Sequence, residues 1–103
     1  MQVFTIPKES SPHVEYGLVV VNTIYPGASA LDVEELVTKE IEDKVEDVSR
    51  IKSLSSSSQE GFSQIQIEFE TGTDMTKAMG DLRSKVDAAR PFLPDEVDDP
   101  VLT

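Results

Sequence analysis

The side chains that most often carry chemistry are scarce here. The chain has no cysteine and a single histidine, His13. Thiol nucleophiles, disulfides and cysteine-based metal sites are therefore excluded. A lone histidine beside Pro12, with no second histidine or cysteine near it, reads as a surface residue and not as a metal ligand. Carboxylates are abundant, 20 against nine lysines and arginines. The sequence pattern places no two of them together in an apolar pocket, the setting that acid–base catalysis needs. The densest acidic run, Asp95-Glu96 then Asp98-Asp99, lacks the spacing, glycine and terminal glutamate of an EF-hand loop. Four consecutive serines, Ser55 to Ser58, suggest a phosphorylation site or a flexible linker, but they lie between two strand patterns and read better as a turn. What remains is uncharged: Asn22 and Gln64 within apolar strand patterns, and a row of small residues, Thr76, Gly80, Ser84 and Ala88, at four-residue spacing. Binding surfaces are expected, not a reaction centre: no enzyme activity, no catalytic residue, no metal and no cofactor.

Composition narrows the partners. Net charge is −11, so phosphate backbones are repelled and nucleic acid is not expected as a partner. Anionic membrane surfaces are disfavoured for the same reason, and the plain reading of the charge is solubility. At 103 residues and 38% hydrophobic content, the chain suits one domain with a modest aliphatic core. Its longest apolar run falls far short of the ~20 residues of a membrane helix. Met1 is not followed by a basic and then a long apolar segment, so no signal peptide is visible.

Residues 1–16 read as an extended lead-in, with Val3-Phe4-Thr5-Ile6 the part expected to pack. Gly17 to Tyr25 is a β-branched, nearly continuous apolar strand, expected at the centre of its sheet. Alternation puts Val20, Asn22 and Ile24 on one face and Val19, Val21, Thr23 and Tyr25 on the other. Pro26-Gly27 stops the strand and Ser29 caps a helix running to about Glu46. Its buried stripe is expected to be Val33, Leu36, Val37, Ile41, Val45 and Val48. A short strand from about Arg50 to Ser55 follows, with a bulge expected because Ile51 and Leu54 break alternation. After the polar loop Ser55 to Gly61, Phe62 to Glu70 alternates cleanly: Ile65, Ile67 and Phe69 on one side, Gln64, Gln66 and Glu68 on the other. Thr73 or Asp74 caps a second helix to about Arg90, with Met75, Ala78, Met79, Leu82, Val86 and Ala89 as its buried stripe. An internal glycine costs about 1 kcal/mol relative to alanine, so the small-residue row has two readings of equal weight: close backbone approach of another helix at Gly80, or an exposed face that happens to be small and polar. Residues 91–103 are a connector whose last residues, Pro100 to Thr103, begin another strand.

The order β-α-β-β-α with a truncated fourth strand is the split β-α-β, ferredoxin-like pattern of the α+β class, with two helices on one face of an antiparallel sheet. The strand order expected by analogy is 4-1-3-2. An incomplete last strand would leave the first strand with an open edge, where another copy could pair.

A series of short motifs resembles a known family. Tyr25-Pro26-Gly27-Ala28-Ser29 with Asp32-Val33-Glu34 and Val37 to Glu42, then Ile51 to Ser56, Phe69-Glu70-Thr71-Gly72-Thr73-Asp74 and Leu93-Pro94-Asp95-Glu96-Val97, is similar in order and spacing to the first periplasmic segment of resistance-nodulation-division (RND) efflux transporters. The hydrophobe/amphiphile exporters are the subclass it most resembles. The resemblance implies that residues 17–103 are the first porter subdomain, following a membrane helix of the longer protein. It implies a homotrimer driven by proton influx at the periplasmic face of the inner membrane. The trimer would move hydrophobic or amphiphilic small molecules with a periplasmic adaptor protein and an outer-membrane channel. It also implies roles for single residues. Thr76, Gly80, Ser84 and Asp87 take the axis-facing positions of the family's central pore helix; they are smaller, and Asp87 more acidic, than a typical polar pore lining. Asn22 and Gln64 take strand positions on the sheet face that contributes to the substrate conduit. The competing reading is a stand-alone ferredoxin-like ligand-binding or regulatory module that self-associates through a sheet edge.

Overall fold

A computed structural model describes residues 17–103; the expectations for the lead-in and for His13 lie outside the described residues. Strand β1, Leu18–Ile24, sits inside an antiparallel sheet between β3, Phe62–Phe69, and β4, Val101–Leu102; β2, Ile51–Gln59, pairs with the far side of β3. The order is β2-β3-β1-β4, the expected 4-1-3-2. Two helices cover one face of this sheet. The first, α1, has three segments: Ala30–Val33 and Lys39–Val45 are α-helical and Glu34–Thr38 between them is π-helical. The second, α2, is Met75–Ala89. This is the α+β, ferredoxin-like arrangement expected of the sequence.

The alternation of β1 and β3 decides the core. Val19 and Val21 of β1 and Ile65, Ile67 and Phe69 of β3 are buried beneath the helices. They meet Val37, Ile41 and Val45 of α1 and Ala78, Leu82, Val86 and Ala89 of α2. Each large aliphatic side chain so buried contributes about 1.5–3 kcal/mol.

The turn after β1 is set by two residues. The Ala28 amide donates to the Tyr25 carbonyl at 3.2 Å, and Gly27 has φ 80°. With Pro26 before it, this is a type II turn, which needs a glycine-like φ at its third residue. The turn is tied to the far hairpin: the Tyr25 amide donates to the Gly61 carbonyl and the Gly61 amide to the Ala28 carbonyl, both at 2.9 Å. Ser29 then caps α1, its hydroxyl accepting from the Asp32 amide at 3.1 Å.

The π turn in α1 resolves a conflict of phase. In an unbroken α-helix with Ile41 facing the sheet, Glu34 would lie within about 20° of the same direction and Val33 about 80° away, at 100° per residue. That would bury a carboxylate and expose a valine. Five wider-wound residues, marked by the Lys39 amide bonding the Glu34 carbonyl five residues back, rotate the first turn by about one position. Val33 becomes fully buried and Glu34 exposed. The same winding corrects the expected stripe. Leu36 is 42% exposed and Thr38 is buried in its place. The Thr38 hydroxyl shares hydrogen bonds with Ser63 at 2.7 Å and Ser58 at 2.9 Å.

Two further expectations are corrected. Ser55 to Ser58 are not a loop. They pair with β3 from Ser55 opposite Gln66 to Ser58 opposite Ser63, and only Glu60-Gly61 turn the chain, Gly61 at φ 71°. Backbone pairing does not depend on side-chain polarity, so an exposed serine run serves as an edge strand. The expected bulge is present, between Ile51 and Ser53. The edge of β1 is also less open than expected. β4 pairs with Val21 and Asn22, Thr103 and Val20 exchange backbone bonds of 2.9 and 3.1 Å, and the Asp98 amide reaches the Ile24 carbonyl at 2.8 Å. Short as it is, β4 leaves only the Leu18 end of β1 uncovered among the described residues.

Deleting Leu36 should remove the extra residue of the π turn and leave a continuous α-helix with Val33 still inward. The variant is expected to unfold within about 8 °C of the parent, equivalent to about 1 kcal/mol; calorimetric loss of the folding transition would contradict the phase argument. Thr23, buried opposite Ser63, has a hydroxyl without a hydrogen-bond partner among the described residues. Thr23→Val removes that group and should raise stability by about 1 kcal/mol, read as an increased urea midpoint.

Candidate substrate face and pore-helix face

Two sets of residues were singled out by the sequence, and the fold keeps them on different layers. The first lies on the sheet face turned away from the helices. Asn22 and Gln64 are directly opposite each other across β1 and β3. The Gln64 side-chain amide donates to the Asn22 side-chain carbonyl at 3.2 Å, and the Gln66 amide reaches the Gln64 carbonyl at 3.4 Å. Ser57 stands opposite Gln64 on β2, and a small depression of about 130 Å³ is lined by Ser55, Ser57, Gln64 and Gln66. The charges on this face are at its margin, where Lys52 lies 3.9 Å from Glu68 and the Ser53 hydroxyl donates to Glu68 at 3.1 Å.

Apolar residues flank the amide row. Ile24 and Leu18 are each 49% exposed and Val101, opposite Asn22, is 55% exposed. Burial of these side chains would be favourable, and each amide keeps donor or acceptor capacity beyond the bonds it makes. The face can therefore hold a molecule that is largely apolar with a few neutral hydrogen-bonding groups. Among the described residues it offers no nucleophile–base pair. Among the described residues no three His, Cys, Asp or Glu side chains are grouped to hold a metal ion.

The second set lies on α2. Asp74, not Thr73, caps this helix, its carboxylate accepting from the amides of Thr76 at 3.1 Å and Lys77 at 3.3 Å. Thr76, Gly80, Ser84 and Asp87 are all exposed. Asp87 lies 3.4 Å from Arg90, which also reaches Asp99 at 3.6 Å. That pair of contacts ties the end of α2 to the connector. A Cβ built at Gly80 would meet nothing within 4 Å. No neighbour among the described residues requires the glycine, and the close backbone approach is not made among them.

One feature was missed by pattern reading. Leu18, Met75, Met79, Gly80, Arg83 and Thr103 line an apolar groove of about 760 Å³ beside the open end of β1. The periodicity assigned Met75 and Met79 to the core; both pack against it but stay half-buried. Helical spacing marks which side of α2 faces inward. It carries no signal of how deeply each of those side chains is buried.

The profile of the AcrB/AcrD/AcrF family matches residues 1–103. The chain belongs to that family of RND efflux transporters. Among its relatives, an uncharacterized transporter of Haemophilus influenzae is 33% identical over 89 residues, covering 86% of this chain and 9% of the relative. The toluene efflux pump membrane transporter TtgB of Pseudomonas putida is 30% identical over 98 residues, 94% of this chain and 9% of the relative. The multidrug resistance protein MdtF of Escherichia coli is 32% identical over 98 residues, 94% of this chain and 10% of the relative. This family member thus spans about a tenth of the length of the relatives it matches. No helix among its described residues is long and apolar enough to cross a membrane.

Proposed function

We propose that this chain is the first porter subdomain of a proton-driven RND efflux transporter. In the longer protein it stands on the periplasmic face of the inner membrane, within a homotrimer that works with a periplasmic adaptor and an outer-membrane channel. Its uncovered sheet face forms part of the wall past which substrate moves, with Asn22 and Gln64 as the polar contacts. Its second helix, through Thr76, Gly80, Ser84 and Asp87, stands at the threefold axis as the pore helix. The observation that carries this reading is the bonded Asn22–Gln64 pair at the middle of an amide-and-apolar sheet face that no other described element covers, in a chain whose relatives include efflux pumps. A face of this chemistry suits hydrophobic and amphiphilic small molecules, which need apolar contact and a few hydrogen bonds and gain nothing from a fixed charge. The family membership favours a transporter part over a catalyst.

The reading separates the two residue sets by experiment. In the full-length transporter, Gln64→Ala should change the order of substrate preference, measured as drug susceptibility across a panel. It should move the thermal midpoint of the isolated chain by no more than about 4 °C, because the side chain is half-buried and bonds only the half-buried Asn22 and the exposed Gln66. A large stability loss would make Gln64 a structural residue. Gly80→Leu should leave the isolated chain folded, since open space surrounds Gly80, and should impair export by the full-length protein. Unchanged export would remove α2 from the trimer axis.

A further inference from the structure

The neutral middle of the outward sheet face sets no preference by charge, and its Leu18 end differs. Among the side chains that β1, β3 and β4 turn away from the helices, Glu68 is the only charged one. It stands directly opposite Leu18, which is 49% exposed, and beside them the half-buried Val20 stands opposite Gln66. The apolar row of β1 therefore ends against a carboxylate. The Ser53 hydroxyl donates to Oε1 of that carboxylate at 3.1 Å. Lys52 Nζ lies 3.9 Å from the other oxygen, Oε2. Both side chains of this ion pair are exposed, 64% and 43%, and the separation is longer than a charge-assisted hydrogen bond, so the pair is weak.

Position decides which of the two charges a ligand meets. Neighbouring strands lie about 4.8 Å apart. In the order β2-β3-β1, Glu68 is one strand from the apolar row. Lys52, in the bulge between Ile51 and Ser53, is two strands from it. A molecule whose apolar part lies along Leu18 and Val20 reaches Glu68 first. Lying there it keeps water from the carboxylate, and the attraction between opposite charges grows as water is excluded. The charge of the whole chain acts in the same direction: at −11, its field draws cations and repels anions.

We propose that Glu68 selects the charge of what this face binds. The site takes cationic amphiphiles, with a quaternary ammonium or protonated amine against Glu68 and the apolar part along Leu18 and Val20. A molecule extending along β1 from Glu68 meets the Asn22–Gln64 pair four residues on, about 13–14 Å away, so one elongated ligand can use both ends of the face. Lys52 competes with the ligand's cation for the same carboxylate. For its role in export the proposal rests on the reading of this face as a substrate wall, and it adds the charge of the preferred substrates to that reading.

Octyltrimethylammonium, octyl glucoside and octanoate, each below its micelle concentration, are titrated into the 103-residue chain and followed by backbone amide NMR shifts. The cation is expected to bind tightest and the anion weakest, with the largest shifts at Leu18, Val20, Gln66 and Glu68. Glu68→Gln should weaken binding of the cation about threefold and leave octyl glucoside unchanged, whereas Lys52→Gln should strengthen the cation. Added salt should narrow the gap between the cation and the neutral probe. Octanoate binding as tightly as the cation overturns the proposal, and so does a cation affinity indifferent to Glu68→Gln. Equally large shifts around the exposed Asp43 and Glu46 of α1 would reduce the binding to general charge attraction and overturn the site. In the full-length transporter, Glu68→Gln should lower resistance to cationic drugs more than to neutral ones. If Gln64→Ala reorders substrate preference while Glu68→Gln does not sort it by charge, the charge proposal fails and the wall reading stands. If the chain binds the cation as expected but neither variant alters export, the wall reading fails and takes the export role of Glu68 with it.

Discussion

The pairing of β1 with β3 is the constraint on which the rest depends. Val21 opposite Ile65 and Asn22 opposite Gln64 are consecutive rungs of one ladder. Because side chains alternate, the first rung must enter the core if the second faces out. A slip of one residue would bury two amides and expose the valines and isoleucines that hold the helices. The register is fixed at one end of the ladder by the mutual bonds of Tyr25, Ala28 and Gly61. The Pro26-Gly27 turn therefore does more than change the chain's direction. It anchors the strand pair whose outer face carries the amide row and whose inner face carries the core.

The helices answer that constraint in different ways. α2 meets the sheet with a regular α-helical stripe, and its capping carboxylate satisfies two amides at its start. α1 has valines and an isoleucine at strict four-residue spacing, Val33, Val37, Ile41 and Val45, a period that drifts about 40° per step around an α-helix. A π turn absorbs the drift. It brings in Thr38, whose hydroxyl is satisfied by two serines of the hairpin, and so couples α1 to β2 and β3 by hydrogen bonds as well as by packing.

What could be read from the sequence follows from the range of the physics involved. Alternation and helical period are local, so the faces of β1, β3 and α2 were legible, and with them the outward position of Asn22 and Gln64. The exposure of Leu36 was not, because it depends on the sheet selecting Val33 over Glu34. The strand character of Ser55 to Ser58 was not, because it comes from β3 offering a partner and from a turn as short as Glu60-Gly61. The contact between Asn22 and Gln64 joins residues 42 apart and needs the register of two strands. The groove beside Met75 and Met79 depends on how α2 sits against β1. In each case the missing information is tertiary, and the local pattern was consistent with more than one outcome.

The amide face turned away from the helices is proposed as a wall of the substrate path. The direct test is substrate protection at that wall. In the full-length transporter, a cysteine in place of Gln64 is labelled with a small maleimide, with and without saturating substrate. A cysteine in place of the exposed Asp43 on α1 serves as control. Substrate is expected to slow labelling at position 64 and to leave position 43 unchanged. Equal labelling at position 64 with and without substrate, in a transporter that still exports, would contradict it.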